Sequence, residues 1–183
     1  MRIISGTHKG RRLSPPKRLP VRPTTDRSKE ALFNILNNLF KWKETTVLDL
    51  FSGTGSISFE FASRGAKSIT SVDQNKDCIK YINEVSKDFD FKISTVKKNV
   101  FDFLESNPYS FDIIFLDPPY IFQIKDYENV IMKLFFNKWL EKGLIIVEHS
   151  VKVNLDEVFG FIETRKYGNN SFSFFKNKAR LKN

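Results

Sequence analysis

The run Thr46-Val47-Leu48-Asp49-Leu50-Phe51-Ser52-Gly53-Thr54-Gly55-Ser56 decides the fold of this chain. Residues 46–51 have the short apolar pattern of a buried strand. Ser52 to Ser56 is a glycine turn, and Ile57-Ser58-Phe59-Glu60-Phe61-Ala62-Ser63-Arg64 continues as a helix. Strand, glycine turn and helix is the context that gives a glycine fingerprint its meaning. Glycine lets the backbone approach a ligand where a Cβ would clash. Downstream, Ser68-Ile69-Thr70-Ser71-Val72-Asp73 is a second strand that ends in an acid, a position that suits a ribose diol. The order Gly53-Thr54-Gly55-Ser56-Ile57-Ser58 is not the dinucleotide fingerprint, and no Lys-Ser/Thr follows as in a P-loop. A nucleoside ligand without a pyrophosphate is therefore favoured.

A second motif supplies the chemistry. Leu116-Asp117-Pro118-Pro119-Tyr120 follows the strand-like run Phe111 to Phe115. Ligands of open α/β sheets bind at such carboxyl ends of strands. Two prolines cannot continue a hydrogen-bonded ladder. They hold an extended turn whose carbonyls stay unpaired and able to accept protons. An acid, such carbonyls and an aromatic face can grip a planar ring that carries an amine. Taken alone, the motif also fits a proline turn that merely ends a strand. The glycine turn upstream argues for the functional alternative.

With both motifs in place, the chain resembles the class I S-adenosylmethionine-dependent methyltransferases. Within them it resembles the RsmD family, which methylates the exocyclic N2 of one guanine in small-subunit (16S) ribosomal RNA. The resemblance covers nearly the whole chain. It includes Arg2-Ile3-Ile4-Ser5-Gly6, Lys9-Gly10-Arg11-Arg12-Leu13, Arg22-Pro23-Thr24-Thr25-Asp26-Arg27 and Glu30-Ala31-Leu32-Phe33-Asn34, besides the glycine turn, Asp73 and the Asp-Pro-Pro-Tyr motif. That last motif is shared with adenine-N6 and cytosine-N4 enzymes, so the amino-terminal block is what narrows the family. Phe51 stands where many class I enzymes have a glycine; the resemblance implies that this family accepts an aromatic there.

The resemblance implies an α/β, Rossmann-like class I methyltransferase fold: a seven-stranded, mostly parallel sheet with a terminal antiparallel hairpin and a small amino-terminal β-hairpin extension. It implies S-adenosyl-L-methionine as methyl donor, S-adenosyl-L-homocysteine as product, and no metal. Asp49, Phe51, Gly53, Gly55, Asp73, Asn99 and Val100 become the cofactor candidates. Asn99-Val100 occupies the family position that holds adenine, with Asp102 as a rival and a helix cap as a further role for Asn99. Asp117, Pro118, Pro119 and Tyr120 become the catalytic candidates. Asp117 and the Pro118 carbonyl would accept the amino hydrogens, and Tyr120 would stack on the base.

Composition bounds the alternatives. At 183 residues and 40% hydrophobic, the chain suffices for one core. Its 19 phenylalanines are mostly expected to pack. One cysteine, Cys78, excludes an internal disulfide and fits a reducing, cytoplasmic setting. His8 and His149 are far apart, without cysteine partners, so a metal site is not expected. No apolar run approaches the ~20 residues of a membrane span, and the first residues lack a signal-peptide pattern.

Net charge is +9, unevenly placed. Residues 1 to 25 hold seven Lys/Arg and no acid; residues 164 to 183 hold six and no acid; residues 26 to 163 are left at −4. Basic ends on an acidic body point to a polyanionic partner. Arg11, Arg12, Lys17, Arg18, Arg22, Thr24 and Arg27 are the candidate RNA contacts. The expected organisation is a basic hairpin and arm over 1–25, then a methyltransferase domain over 26–183. Ribosomal RNA is the expected partner, free or in a small-subunit assembly intermediate, and the protein a monomer.

The periodicity predicts a hairpin over 2–14, a linker over 13–23, and a helix over 27–40 capped by Thr25 or Asp26. Ala31, Leu32, Ile35, Leu36 and Leu39 should form the apolar stripe of that helix. Strands are predicted at 46–51, 68–73, 93–98, 111–116, 143–149, 161–166 and 172–176, the last pair joined by Gly168-Asn169-Asn170. His149 should be structural. Two other functions remain: an adenine-N6 methyltransferase on DNA or RNA, and a non-catalytic RNA-binding assembly factor.

Overall fold

The computed structural model describes residues 1–16, 19, 25–106, 109–140 and 142–177. Strands and helices alternate: α1 (Asp26–Asn37), β1 (Thr46–Leu50), α2 (Ser56–Ser63), β2 (Ser68–Asp73), α3 (Lys76–Asp88), β3 (Ile93–Lys97), α4 (Val100–Leu104), β4 (Ile113–Leu116), α5 (Ile124–Phe136), β5 (Leu144–Ser150), β6 (Phe161–Tyr167) and β7 (Asn170–Phe175). The sheet has seven strands in the order β3-β2-β1-β4-β5-β7-β6. The pairs β1–β2, β2–β3 and β4–β5 are parallel, and β7 runs antiparallel to β5 and β6. This is the expected α/β architecture. Parallel strands buried on both faces need continuous apolar runs, which Ile113-Ile114-Phe115-Leu116 and Leu144 to Val147 supply.

The chain divides into two compact units, Met1–Val100 and Phe101–Asn183. In the first, Ile3 and Leu13 of the amino-terminal segment are buried with Phe59, Ile82 and Val85. Phe33, Phe61 and Trp42 pack a second aromatic group, with 4.6 Å between the Phe33 and Phe61 rings. In the second, Trp139 lies against Phe103 and Phe111, and Phe115 meets Phe172. Most phenylalanines are core residues.

Several local expectations shift. The amino-terminal hairpin is a short ladder, with one antiparallel bridge between Arg2 and Arg12. Main-chain bonds across it run from Ile3 N to Arg11 O, Gly10 N to Ile3 O and Leu13 N to Met1 O, and the Met1 amino group donates back to Leu13 O. Thr25 caps α1 by accepting from Ser28 N, but the helix ends at Asn37. Its buried face is Ser28, Lys29, Leu32, Phe33 and Leu36, and Leu39 is 56% exposed. Trading Ala31, Ile35 and Leu39 for Ser28, Lys29 and Phe33 rotates the face, and Lys29 can be buried there because it finds a buried partner discussed below. β7 begins at Asn170, so the connection is the two residues Gly168-Asn169. Asn170 is drawn into the ladder opposite Ser150 and Tyr167, and its Nδ2 donates to the buried Glu148 Oε1 at 2.6 Å.

Candidate active site

In the first unit the glycine turn lies between the end of β1 and the start of α2. Phe51 and Gly53 have φ of 61° and 51°, and Gly55 has φ 75°. At Gly55 two constraints coincide. An added Cβ would fall 2.8 Å from Ile82 Cγ1, and the left-handed conformation is costly for any side chain. Phe51 adopts that conformation without being glycine, at a cost of roughly 1–2 kcal/mol. That places Phe51 at a position where glycine would be the unstrained choice.

Asp73, at the end of β2, holds the turn. Its Oδ2 accepts from Gly53 N at 2.8 Å, and its Oδ1 accepts from Asn75 N at 2.8 Å. Each oxygen has a second lone pair, so this half-buried carboxylate can still accept from two hydroxyls. Asp49 lies one layer deeper. It is buried, its Oδ2 accepts from Ser58 Oγ, and Ser58 Oγ pairs with Ser71 Oγ at 2.7 Å. Burial pushes the Asp49 carboxyl up to about 7, against the opposing effect of Ser58. Asp49 thus props α2 onto the sheet from below the turn. Ser52 Oγ is buried without a hydrogen-bond partner.

Asn99 is exposed after β3, and its Nδ2 donates to Gln74 Oε1, beside Asp73 in sequence, at 3.2 Å. Val100 is buried and begins α4. The structure therefore brings Asn99 to the residue that follows Asp73.

In the second unit, Asp117-Pro118-Pro119-Tyr120 follows β4 directly. Asp117 is half-buried, Pro118 buried, Pro119 exposed, and Tyr120 is 63% exposed. Phe122 stacks on Phe101 at 6.0 Å and meets Tyr127 edge-on at 5.5 Å. The Tyr127 phenol is pushed up to about 12, first by burial and then by the nearby acids Asp117 and Asp126. A phenol so held keeps its proton beside Asp117. Sequence reasoning missed Tyr127; its only signal was a tyrosine one helical turn into the helix after the motif. His149 is structural: Nε2 lies 2.7 Å from Ser173 Oγ, Nδ1 lies 2.9 Å from Ser150 O, and burial lowers its pKa.

Of the RNA candidates, Arg11, Arg12 and Arg27 are exposed. Lys17, Arg18, Arg22 and Thr24 lie outside the described residues. Among the described residues no group of three or more His, Cys, Asp or Glu could hold a metal, and no helix is long and apolar enough to cross a membrane.

The fold and these motifs define the class I methyltransferase class. The solved structure of yhhF from Escherichia coli, provisionally assigned as a methyltransferase, matches with a TM-score of 0.83 and 26% identity, over 98% of this chain and 99% of that one. SMU.776, also provisionally assigned as a methyltransferase and solved in complex with SAH, matches with a TM-score of 0.65 at 23% identity, over 82% of this chain and 48% of that one. The chain belongs to the RsmD family: the family described as "Conserved hypothetical protein 95" matches residues 1–176. Within it, Ribosomal RNA small subunit methyltransferase D of Haemophilus influenzae is 34% identical over 157 residues, 83% of this chain and 79% of that protein.

Proposed function

We propose that this protein transfers a methyl group from S-adenosylmethionine to the exocyclic N2 amine of a guanine in small-subunit ribosomal RNA. The observation that carries this reading is the Asp117-Pro118-Pro119-Tyr120 turn, directly after a buried parallel strand, with an accessible acid and an exposed ring. Membership in a family with rRNA methyltransferases supports the nucleic-acid substrate.

The first unit fits the donor. Asp73 retains acceptor capacity for a ribose diol, the turn at Gly53 and Gly55 exposes main chain, and Asn99 offers an amide for the adenine edge. S-adenosylmethionine supplies a methyl on a sulfonium, an electrophile that needs no activation. The protein's task is the acceptor. An aryl amine delocalises its lone pair into the ring and is a poor nucleophile. Asp117 and the Pro118 carbonyl accept its two hydrogens, which turns the nitrogen toward tetrahedral geometry and aims its lone pair. Orientation to an approach near ~3 Å is worth several kcal/mol. The Asp117 carboxylate also favours the positive charge that develops on nitrogen. The cationic product amine sheds its proton readily, so no dedicated base is required. Tyr120 stacks on a base removed from its helix, a contact of ~1–3 kcal/mol.

Asp117→Ala should abolish methyl transfer and leave cofactor affinity within a few-fold, since the carboxylate acts on the acceptor. Asp73→Ala should do the reverse, weakening the cofactor by ~1–3 kcal/mol in calorimetry. Mass mapping of ribosomal RNA with and without the gene identifies the target. A missing methyl on an adenine would make this an N6 enzyme, and an unchanged map would leave an RNA-binding assembly factor.

A further inference from the structure

Helix α2 has the glycine turn at one end and the amino-terminal hairpin clasped along its length. At its start, Ser56 Oγ accepts from Lys29 Nζ at 3.3 Å. At its end, Ser63 holds the hairpin tip. Its carbonyl accepts from Thr7 N at 2.7 Å, and its Oγ accepts from His8 N at 3.0 Å and donates to Ser5 O at 2.6 Å. Between them sits Glu60, fully buried. Its Oε2 accepts from Ile4 N at 2.8 Å, and its Oε1 accepts from Ser5 N at 3.0 Å and Arg64 Nε at 2.8 Å. Lys29 Nζ stands 3.7 Å from Oε2 and donates to Arg2 O at 2.6 Å. The other end of the hairpin reaches the glycine turn, where Thr54 Oγ1 donates to Met1 Sδ at 3.7 Å.

A carboxylate buried this deeply is costly unless its lone pairs are filled and its charge balanced. Here two cations supply the balance, and two of the donors are main-chain amides of the hairpin. The apolar contacts of Ile3 and Leu13 hold the hairpin down but are non-directional. The bonds to Glu60 and Ser63 are directional, so they set where the hairpin stands along α2.

We propose that Glu60 is a positioning residue for RNA: by clamping Ile4 and Ser5, it fixes the exposed Arg11 and Arg12 relative to the glycine turn at the start of α2. This rests on the reading that the hairpin contacts RNA. A rigid clamp presents the arginines at a set distance from the donor site. An undocked hairpin would keep the same charges and lose that distance.

Two variants release the hairpin by separate routes. Glu60→Gln keeps size and acceptor oxygen but cannot balance Lys29 and Arg64. Gly6→Ala leaves the ionic cluster intact; at φ +86° its Cβ would stand 1.8 Å from Ser63 O, so the tip must lift. Amide hydrogen exchange over residues 3–13 reports the release. Steady-state methylation of small-subunit ribosomal RNA, tested protein-free and in assembled particles, reports the consequence. Both variants should raise the RNA KM by about tenfold, as expected for lost phosphate contacts, with kcat at saturating RNA retained and S-adenosylmethionine affinity unchanged. An Arg11→Gln/Arg12→Gln protein, docked but uncharged there, serves as reference. Released hairpins with wild-type RNA KM, beside a raised KM in the arginine variant, would overturn the positioning role alone. An unchanged KM in the arginine variant would instead overturn the RNA-contact reading. A fall in cofactor affinity that accompanies the KM change would make Glu60 a fold residue and also overturn the proposal. If Glu60→Gln does not fold, Gly6→Ala decides the matter.

Discussion

Asp49 shows how position alone changes a residue's chemistry. Asp73 ends the neighbouring strand, half-buried and holding one amide on each oxygen, while Asp49 sits within its strand, buried, with Ser58 as donor. Its folded pKa of about 7 lies above the ordinary 3.8. Between those values the folded protein keeps a proton that the unfolded chain releases. Stability should therefore fall as pH rises from about 4 to about 7 and level off above. Asn is a neutral mimic that can still accept from Ser58. Asp49→Asn should then melt above the wild type at pH 8 and show a flatter pH dependence over that window. Thermal melts of cofactor-free protein check this, and parallel pH slopes would count against a buried, protonated Asp49.

At the element scale, buried polar bonds tie the carboxyl-terminal strands together. His149 on β5, Ser173 on β7 and Thr164 on β6 form one chain, each link 2.7 Å. With Nδ1 donating to Ser150 O, the neutral ring accepts from Ser173, which accepts from Thr164. Beside it Asn170 donates to buried Glu148. Asn170→Ala removes a donor from a carboxylate that water does not reach, and should destabilise the protein by ~1–3 kcal/mol. Urea unfolding measures this; a loss near zero would mean that Glu148 is fully satisfied elsewhere. The same rule explains the rotated face of α1. Lys29 is buried there because Glu60, Ser56 and Arg2 O receive it, and burial still lowers its pKa despite Glu60.

At the scale of the whole molecule, charge is the quantity that matters. The two ends are basic and the region between them net acidic, so the function proposed above assigns the electrostatic attraction to RNA to the ends. Phosphate contacts release counterions, and each contact steepens the decline of log affinity with log salt by about 0.7–0.9. Neutralising Arg11, Arg12, Lys17 and Arg18 together should flatten that slope by one or more such increments and leave cofactor binding alone. RNA binding titrated across salt concentrations tests this. Identical slopes would shift the contact to the basic residues near the carboxyl end, Lys176, Lys178, Arg180 and Lys182.

What the amino-acid sequence determined by itself was local and periodic. Apolar runs bounded by Gly53, Gly55 and the paired prolines marked strands and turns, since glycine admits backbone conformations closed to other residues and proline fixes φ and breaks a ladder wherever it occurs. The alternation of strand and helix then implied a parallel sheet, and the motif order implied the family. What the tertiary structure alone decided was which polar groups are buried together. Nothing in the sequence sets Glu60 apart within Ser56–Ser63 or Lys29 within α1, and Gly6 stands there only as one glycine of a hairpin loop. Each is explained only when residues 1–13 lie along α2, because the cost of burying a charge depends on partners that are distant in sequence. Asp49 and Asp73 were both legible as acids at a glycine turn. Only their depth separates a carboxylate with lone pairs to offer from one that holds its proton.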